Sequence, residues 1–421
     1  MNTGSRIAIA AALGWFWEYG HWGAVLSVLL IPLVVMGRNK LDRYAVASAY
    51  YLAGSHGIPG GAAVFFGHGH LIEGIFLWLT SSALLAAGWA FADRPWRVAA
   101  VLVLDALPPL GFFDWLSPLA AAGVLFPGMG SIGLLLFLVV AGWTAWFTRW
   151  LITRHKAARD NGLSNAVLMP SGILALVVTM NITYSPLPAP AGWIGVDQNV
   201  GPITGNMLAD MERGQRWIAH TESVATAGSR VILLPESMDI WWAGNADEVK
   251  NAVPKGQTWL VGASVPVGPA LMADGIEAVS GGGWKEKKGA GEDDTSRGIT
   301  SGFIRNHGAR LLFVSPFPVP VSMWHPWHRG HGYYSASGVG FEAGWWEPVQ
   351  KIDGIRAWAS ICYDQLLPWV WMEGVVQSPQ VILATNNEWW ARGTGIPEIQ
   401  AATAWAWARL MGVPVLEAEN G

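Results

Sequence analysis

The chain has 421 residues, 52 % of them hydrophobic and only 13 % charged, with a formal net charge of −4. A soluble chain usually carries about a quarter charged residues, so the composition excludes a uniformly soluble protein, and the lack of basic excess excludes a direct nucleic-acid partner. The single cysteine, Cys362, excludes an intrachain disulfide and a cysteine-based zinc site.

The charge deficit is confined to residues 1–185, which are almost continuously apolar, whereas 186–421 have ordinary globular texture. Two domains in unlike solvents follow, an all-α multi-span membrane domain and a globular domain. A membrane span needs about 20 apolar residues. The predicted spans are 7–18 and 22–36 as a short hairpin, then 44–66, 71–92, 97–113, 120–148 and 165–183, about six or seven in all. Pro and Gly interrupt several, and 120–148 is long enough for a tilted or broken helix. The apolar N-terminus is too long for a cleaved signal peptide, and further spans follow it.

Loop charge sets the orientation. Arg38, Lys40 and Arg43 lie between the second and third spans, Arg94 and Arg97 follow the fourth, and Arg149, Arg154, Lys156 and Arg159 follow the sixth. The alternate loops, around Glu18, 67–70 and Asp114, carry no Lys or Arg. The positive-inside rule therefore places the basic loops in the cytoplasm and the globular domain on the outer, periplasmic side of the cell membrane. Some of the 27 tryptophans belong at the membrane interfaces.

Beyond residue 192, short apolar runs alternate with helical stretches, the pattern of an α/β layered domain. Strands are predicted at 194–198, 231–234, 258–265, 302–305, 355–361, 381–385 and 413–417, and helices at 207–226 and 398–411. The Gly-, Lys- and acid-rich stretch 278–296 reads as an exposed loop, and its glycines open no Gly-Lys-Ser/Thr phosphate loop.

Three places carry chemistry. In Leu233-Leu234-Pro235-Glu236-Ser237, a carboxylate sits just past a buried strand, where open α/β sheets build sites. Withdrawal from water raises its pKa and suits it to act as a general base, although the same position also suits a helix cap. In Ala359-Ser360-Ile361-Cys362-Tyr363-Asp364, a thiol at a strand end outlines a nucleophile elbow that needs a nearby base. In Leu383-Ala384-Thr385-Asn386-Asn387-Glu388-Trp389-Trp390, amide side chains after another strand are placed to position a substrate.

The run Ile361-Cys362-Tyr363-Asp364, with 384–390, Gly395, Pro397, Gln400, Ala408-Arg409, Gly412, Pro414-Val415 and Asn420-Gly421, resembles the C-terminal part of apolipoprotein N-acyltransferases. These are membrane-anchored members of the nitrilase (carbon–nitrogen hydrolase) superfamily. Leu234-Pro235-Glu236-Ser237 resembles their catalytic glutamate motif, and 317–324 is similar to the conjugal-transfer relatives of that superfamily on transmissible plasmids. The resemblance implies an αββα sandwich and a Cys362 nucleophile activated by Glu236 through an acyl-thioester, with no cofactor. It also implies a lipid, amide or other acyl substrate, a pocket drawing on Tyr363, Asn386, Asn387, Glu388 and Trp389, and partners among conjugal-transfer proteins.

The chain departs from that pattern in three ways. The superfamily uses a Glu–Lys–Cys triad, yet 309–318 contains no lysine, and Leu311 or Val314 stands at the expected position. Losing such an oxyanion donor costs about 10²–10³ in rate. Arg310 is the neighbouring replacement candidate, although its fork geometry and high pKa suit it poorly, and Lys285, Lys287 and Lys288 are others. The second family glutamate is replaced near Val319, and the sequence stops at Gly421, where family members continue into closing strands and a final span.

The imidazoles His325, His328 and His331 lack a carboxylate or thiol to complete a metal set. His68 and His70 read as interfacial residues, and no metal is expected. A cysteine amidase or N-acyltransferase-like enzyme is the leading reading, with a catalytically degenerate membrane scaffold as the alternative. A transporter is disfavoured because the spans hold few ionisable residues, chiefly Asp105.

Overall fold

The structure, a computed structural model, describes residues 1–66, 69–156, 163–238, 242–268, 271–281, 309–319 and 340–421. The expected strand at 302–305, the imidazoles His68, His325, His328 and His331, the lysines Lys285, Lys287 and Lys288, and the part of the 317–324 motif beyond Val319 lie outside the described residues.

In chain order, the N-terminal half forms α1 (Thr3–Trp15), α2 (Trp22–Leu26), α3 (Leu30–Val35), α4 (Lys40–Gly54), α5 (Ile58–Phe65), α6 (Leu71–Trp89), α7 (Pro95–Ala106), α8 (Ala121–Leu125), α9 (Gly130–Lys156) and α10 (Leu163–Thr183). Then come β1 (Trp193–Gly195), α11 (Met207–Val224), β2 (Val231–Leu233), α12 (Trp242–Ala252), β3 (Thr258–Gly268), β4 (Leu271–Ser280), β5 (Ala309–Val314), β6 (Gly340–Phe341), β7 (Gln350–Ile352) and β8 (Ile355–Ile361). The chain closes with α13 (Pro368–Gln377), β9 (Val381–Asn387), α14 (Ile396–Met411) and β10 (Val415–Asn420).

The chain divides into two compact units. The helical unit comprises Met1–Leu187, Gln365–Ser378 and Trp390–Pro414, and the sheet-bearing unit comprises Pro188–Asp364, Pro379–Trp389 and Val415–Gly421.

In the helical unit, the apolar stretches are cut by glycine and proline. The 44–66 stretch is two helices, with Pro59 in the first turn of α5, where its missing N–H leaves no bond unmade. The 120–148 stretch breaks after α8, where Gly128 and Gly130 take left-handed φ of 74° and 50°. Among the described residues, Leu71–Trp89 and Gly130–Thr153 are long and apolar enough to cross a membrane, and Trp22–Val35 and Leu174–Thr183 are shorter apolar helices. Composition shows apolarity but not these breaks, and α1, α4 and α7, with 13, 15 and 12 residues, fall short of the about 20 that a span needs.

Small residues set the helix packing. A side chain at Gly14 would meet the Tyr50 carbonyl, one at Gly54 the Gly14 carbonyl, and one at Gly123 the Ala406 carbonyl, so α1 lies against α4, and α8 against α14, at backbone contact. Buried polar groups pair locally: Arg6 with Asp42 at 2.5 Å, and Trp17 Nε1 donating to the Tyr50 hydroxyl at 2.8 Å.

The sheet-bearing unit contains two sheets. One runs β1-β2-β3-β4-β5 with β6 beside β4, and the other runs β10-β9-β8-β7. β1, β2 and β3 are parallel, as are β8, β9 and β10, while β4 runs antiparallel to β3 and β5. Alternation along each strand divides the apolar side chains between two cores. Leu233, Leu260, Ile276 and Phe313 of the first sheet meet Ala359, Ile361, Leu383 and Leu416 of the second. On the other face of the first sheet, Ile232, Trp259 and Val261 pack against Trp217 and Ile218 of α11 and Val249 of α12. The layers are thus helix, sheet and sheet, and the segment after β1 reaches the second sheet through the Gln198–Asn420 bridge to β10. Strand β4 was not expected: residues 278–280, read as loop, form its end, because the apolar alternation of 271–280 runs directly into a polar stretch.

Replacing Gly123 by Val is expected to destabilise the helical unit by about 1–3 kcal/mol through overpacking against α14. The thermal midpoint in detergent should fall by several degrees, while Gly172→Ala, whose Cβ would meet nothing within 4 Å, should leave it unchanged.

Candidate functional site

The C-terminal ends of parallel strands from both sheets build the site. β2 stops because Pro235 has no N–H to continue the ladder, and the chain turns at Ser237, whose φ is 52°. Only glycine fits at position 262 of β3, since a side chain there would meet the Pro235 carbonyl and the Glu236 backbone. The Met238 N–H donates to the Gly262 carbonyl at 2.8 Å and fixes the turn. Glu236 is thereby held in the interior, 6 % exposed.

Opposite it, β8 ends at Ile361 and Cys362 follows with φ of 46°, a left-handed conformation for a non-glycine residue. This sharp turn lets Cys362 remain with the inter-sheet core although it lies one residue past the strand. Its thiol hydrogen-bonds to the Glu236 carboxyl, and the Asn387 backbone N–H, at the end of β9, donates to its sulfur.

Two further carboxyls join them. Asp274 of β4 lies opposite Ser264 of β3 and hydrogen-bonds to Glu236. Asp364, in the turn after Cys362, accepts the Phe317 N–H at 3.0 Å and the Ser315 hydroxyl. The Ser315 N–H donates to the Asp274 carbonyl at 2.8 Å, tying the two acids to one segment. Asp274 and Asp364 are 3 % and 0 % exposed.

Burial is the main influence on all four groups, because it penalises the charged form. It pushes Asp274 up to about 7 and Asp364 up to about 8. Glu236 is held well above its ordinary range by burial and then by the charge of Asp274, and the Cys362 thiol is raised by burial and then by Glu236. The Asn387 N–H opposes that rise. A resting thiolate is therefore disfavoured, and the arrangement suits proton transfer from thiol to carboxylate during attack.

The remaining candidates divide. Arg310 is exposed on edge strand β5 and does not join the buried cluster. Leu311 and Val314, at the expected lysine position, pack on the helix-facing core, away from the inter-sheet core that holds Cys362. Tyr363 lies 6.4 Å from the Phe317 ring, which in turn lies 5.6 Å from the half-exposed Trp345. The Asn387 side chain is occupied by Asn420, whose Nδ2 donates to it at 2.9 Å, and the Glu388 N–H donates to the Asn420 carbonyl at 2.8 Å. Asn386 is buried, and Trp389 is half-buried. The sequence alone does not single out Asp274; its only signal is an acid within an apolar run that also holds Glu277. Asp364 stands in the cysteine motif without a local sign of its role, because its partners come from a distant segment.

No family model matches the chain. It is 30 % identical over 420 residues to a probable conjugal transfer protein TraB of Sinorhizobium fredii (strain NBRC 101917 / NGR234), covering 98 % of this chain and 96 % of the relative. It is 31 % identical over 432 residues to the conjugal transfer protein TraB of Agrobacterium fabrum (strain C58 / ATCC 33970), covering 97 % and 90 %.

The raised carboxyls fix the sign of a pH effect. Folded Asp274 and Asp364 hold protons that the unfolded chain releases near pH about 4. The stability they contribute is full below that pH and is lost as pH rises through about 7 to about 8. Unfolding followed by exposure of Cys362 to a thiol dye should occur at lower temperature at pH about 8.5 than at about 5.5, and Asp274→Asn should flatten that dependence. A midpoint that instead rises with pH contradicts the buried-acid assignment.

Proposed function

The chain belongs to the TraB family of conjugal transfer proteins, and we propose that it is a membrane-anchored cysteine acyl-transfer enzyme serving conjugation. In this reading Cys362 is the nucleophile and Glu236 the base. Its substrate is an amide or other acyl compound, including a lipid acyl group, and its partners are other conjugal-transfer proteins. The observation that carries it is the hydrogen bond between a thiol on a strained strand end and a buried carboxyl from the opposite sheet.

The cycle balances with these two groups. The Cys362 S–H proton passes to Glu236 as sulfur bonds to the acyl carbon. The carbon–nitrogen or carbon–oxygen bond breaks, the leaving group takes the proton from Glu236, and an acyl-thioester remains. Water or an amine, deprotonated by Glu236, then attacks the thioester and returns the thiol. The Asn387 N–H, directed at the sulfur, stabilises the thiolate-like character that develops during attack.

The paired parallel strand ends and the sandwiched sheets support a nitrilase-like αββα assignment for the sheet-bearing unit. A multi-pass arrangement in the inner membrane, with that unit on the periplasmic side, is supported by the basic loops. Arg43 Nε donates to the Ala90 carbonyl at 2.8 Å, Arg149 donates to the Asp93 carbonyl, and Arg97 pairs with Asp93 at 2.7 Å, so three basic loops gather together. The second reading, a scaffold without catalysis, is favoured by the carboxyls of Glu236 and Asp274 beside the thiol, which raise its pKa.

A chromogenic activated ester separates the two readings. The enzyme reading predicts a burst and a hydroxylamine-labile acyl adduct on Cys362, seen by intact mass. Glu236→Gln should slow its formation by about 10²–10⁴-fold. A chain that never acylates, or that acylates equally well without Glu236, supports the scaffold.

A further inference from the structure

We propose that the carboxyls of Glu236, Asp274 and Asp364 form a binding site for the positively charged end of a ligand, a primary ammonium placed beside the Cys362 sulfur. The inference rests on the reading of Cys362 as a reactive thiol and adds the charge of what it meets.

The three carboxyls come from separate elements: the turn after β2, the inner face of β4, and the turn after β8. Each is more than nine-tenths buried. Each also keeps one oxygen without a hydrogen-bond partner among the described residues: Glu236 Oε2, Asp274 Oδ1 and Asp364 Oδ2. These acids surround one another, since Glu236 hydrogen-bonds to Asp274 and feels the charge of Asp364, and Asp364 feels Asp274. Among the described residues, no Lys, Arg or His forms an ion pair with any of the three. The neighbouring donors are neutral: the Ser315 hydroxyl and the N–H groups of Phe317 and Asn387.

Buried carboxyls without a counter-charge are costly unless they are protonated or paired. A ligand cation supplies the missing pair and satisfies the vacant acceptors together. The acceptor chemistry distinguishes an ammonium from a metal ion, because no group of three or more His, Cys, Asp or Glu among the described residues is arranged to hold a metal. An ammonium needs acceptors at hydrogen-bond distance, not a closed coordination shell. It also fits an acyl-transfer centre, where a protonated amine is the natural resting form of an amine acceptor.

The single cysteine makes the charge of the site readable. Full-length protein in detergent is treated with three methanethiosulfonates, the cationic 2-aminoethyl, the anionic 2-sulfonatoethyl and the neutral methyl reagent, and adducts are followed by intact mass. Each rate is divided by the rate with chain unfolded in denaturant. The proposal predicts a preference of about tenfold or more for the cationic over the anionic reagent at mildly alkaline pH. The preference should shrink at mildly acidic pH as the carboxyls protonate. Asp274→Asn and Asp364→Asn should each cut it several-fold, with every charged reagent's rate taken relative to the neutral reagent's rate on the same variant. Equal rates for the two charged reagents, or a preference that survives both substitutions, overturn the charge assignment while leaving the reactive thiol standing. Failure of the neutral reagent as well removes the reactive-thiol reading, and this inference with it.

Discussion

Everything in the sheet-bearing unit converges on the hydrogen bond between the Cys362 thiol and the Glu236 carboxyl. The two residues lie 126 positions apart in sequence, on different sheets, and meet because both end parallel strands whose inner faces share one core. Pro235 stops one strand, the left-handed turn at Cys362 ends the other, and the bare backbone of Gly262 gives the Glu236 turn room. Isolated in water, this pair would have little reason to form. Inside the sandwich, where charge is penalised, a proton shared between sulfur and oxygen is the economical state.

The acids around the pair give the centre its character. A lysine-bearing centre balances a thiolate with a fixed cation, whereas Cys362 is bordered by Asp274 and Asp364. The sulfur therefore stays protonated at rest, and any thiolate must develop together with proton transfer or with the arrival of a cation. Arg310 supplies no such charge, because its side chain is exposed on the edge strand β5.

How much of this was legible in the sequence differs by residue. A carboxylate after a proline-ended apolar run and a lone cysteine after another strand are local signals that single out Glu236 and Cys362 as candidates, which the structure places side by side. Asp274 was illegible because β4 runs into a glycine- and lysine-rich stretch that hides its period. Asp364 was visible but mute, since its role comes from contacts with Ser315 and Phe317. The part Asn387 plays in the fold is likewise invisible locally, because the Asn420 side chain that donates to it belongs to the returning C-terminal strand. In the helical unit, apolarity was plain, but the break at 55–57 depends on the close approach of Gly57 to the Thr394 carbonyl and that at 126–129 on the left-handed turn at Gly128, neither of which composition shows.

The most direct test of the account is the ionisation of Cys362, followed by the ultraviolet absorbance of the thiolate across pH, with Cys362→Ser as the blank. A buried thiol facing carboxyls should gain its thiolate band only above the usual thiol range, and Glu236→Gln should move that band to lower pH. A full thiolate band at neutral pH would contradict the account, because it would require a cation beside the sulfur where the structure places acids.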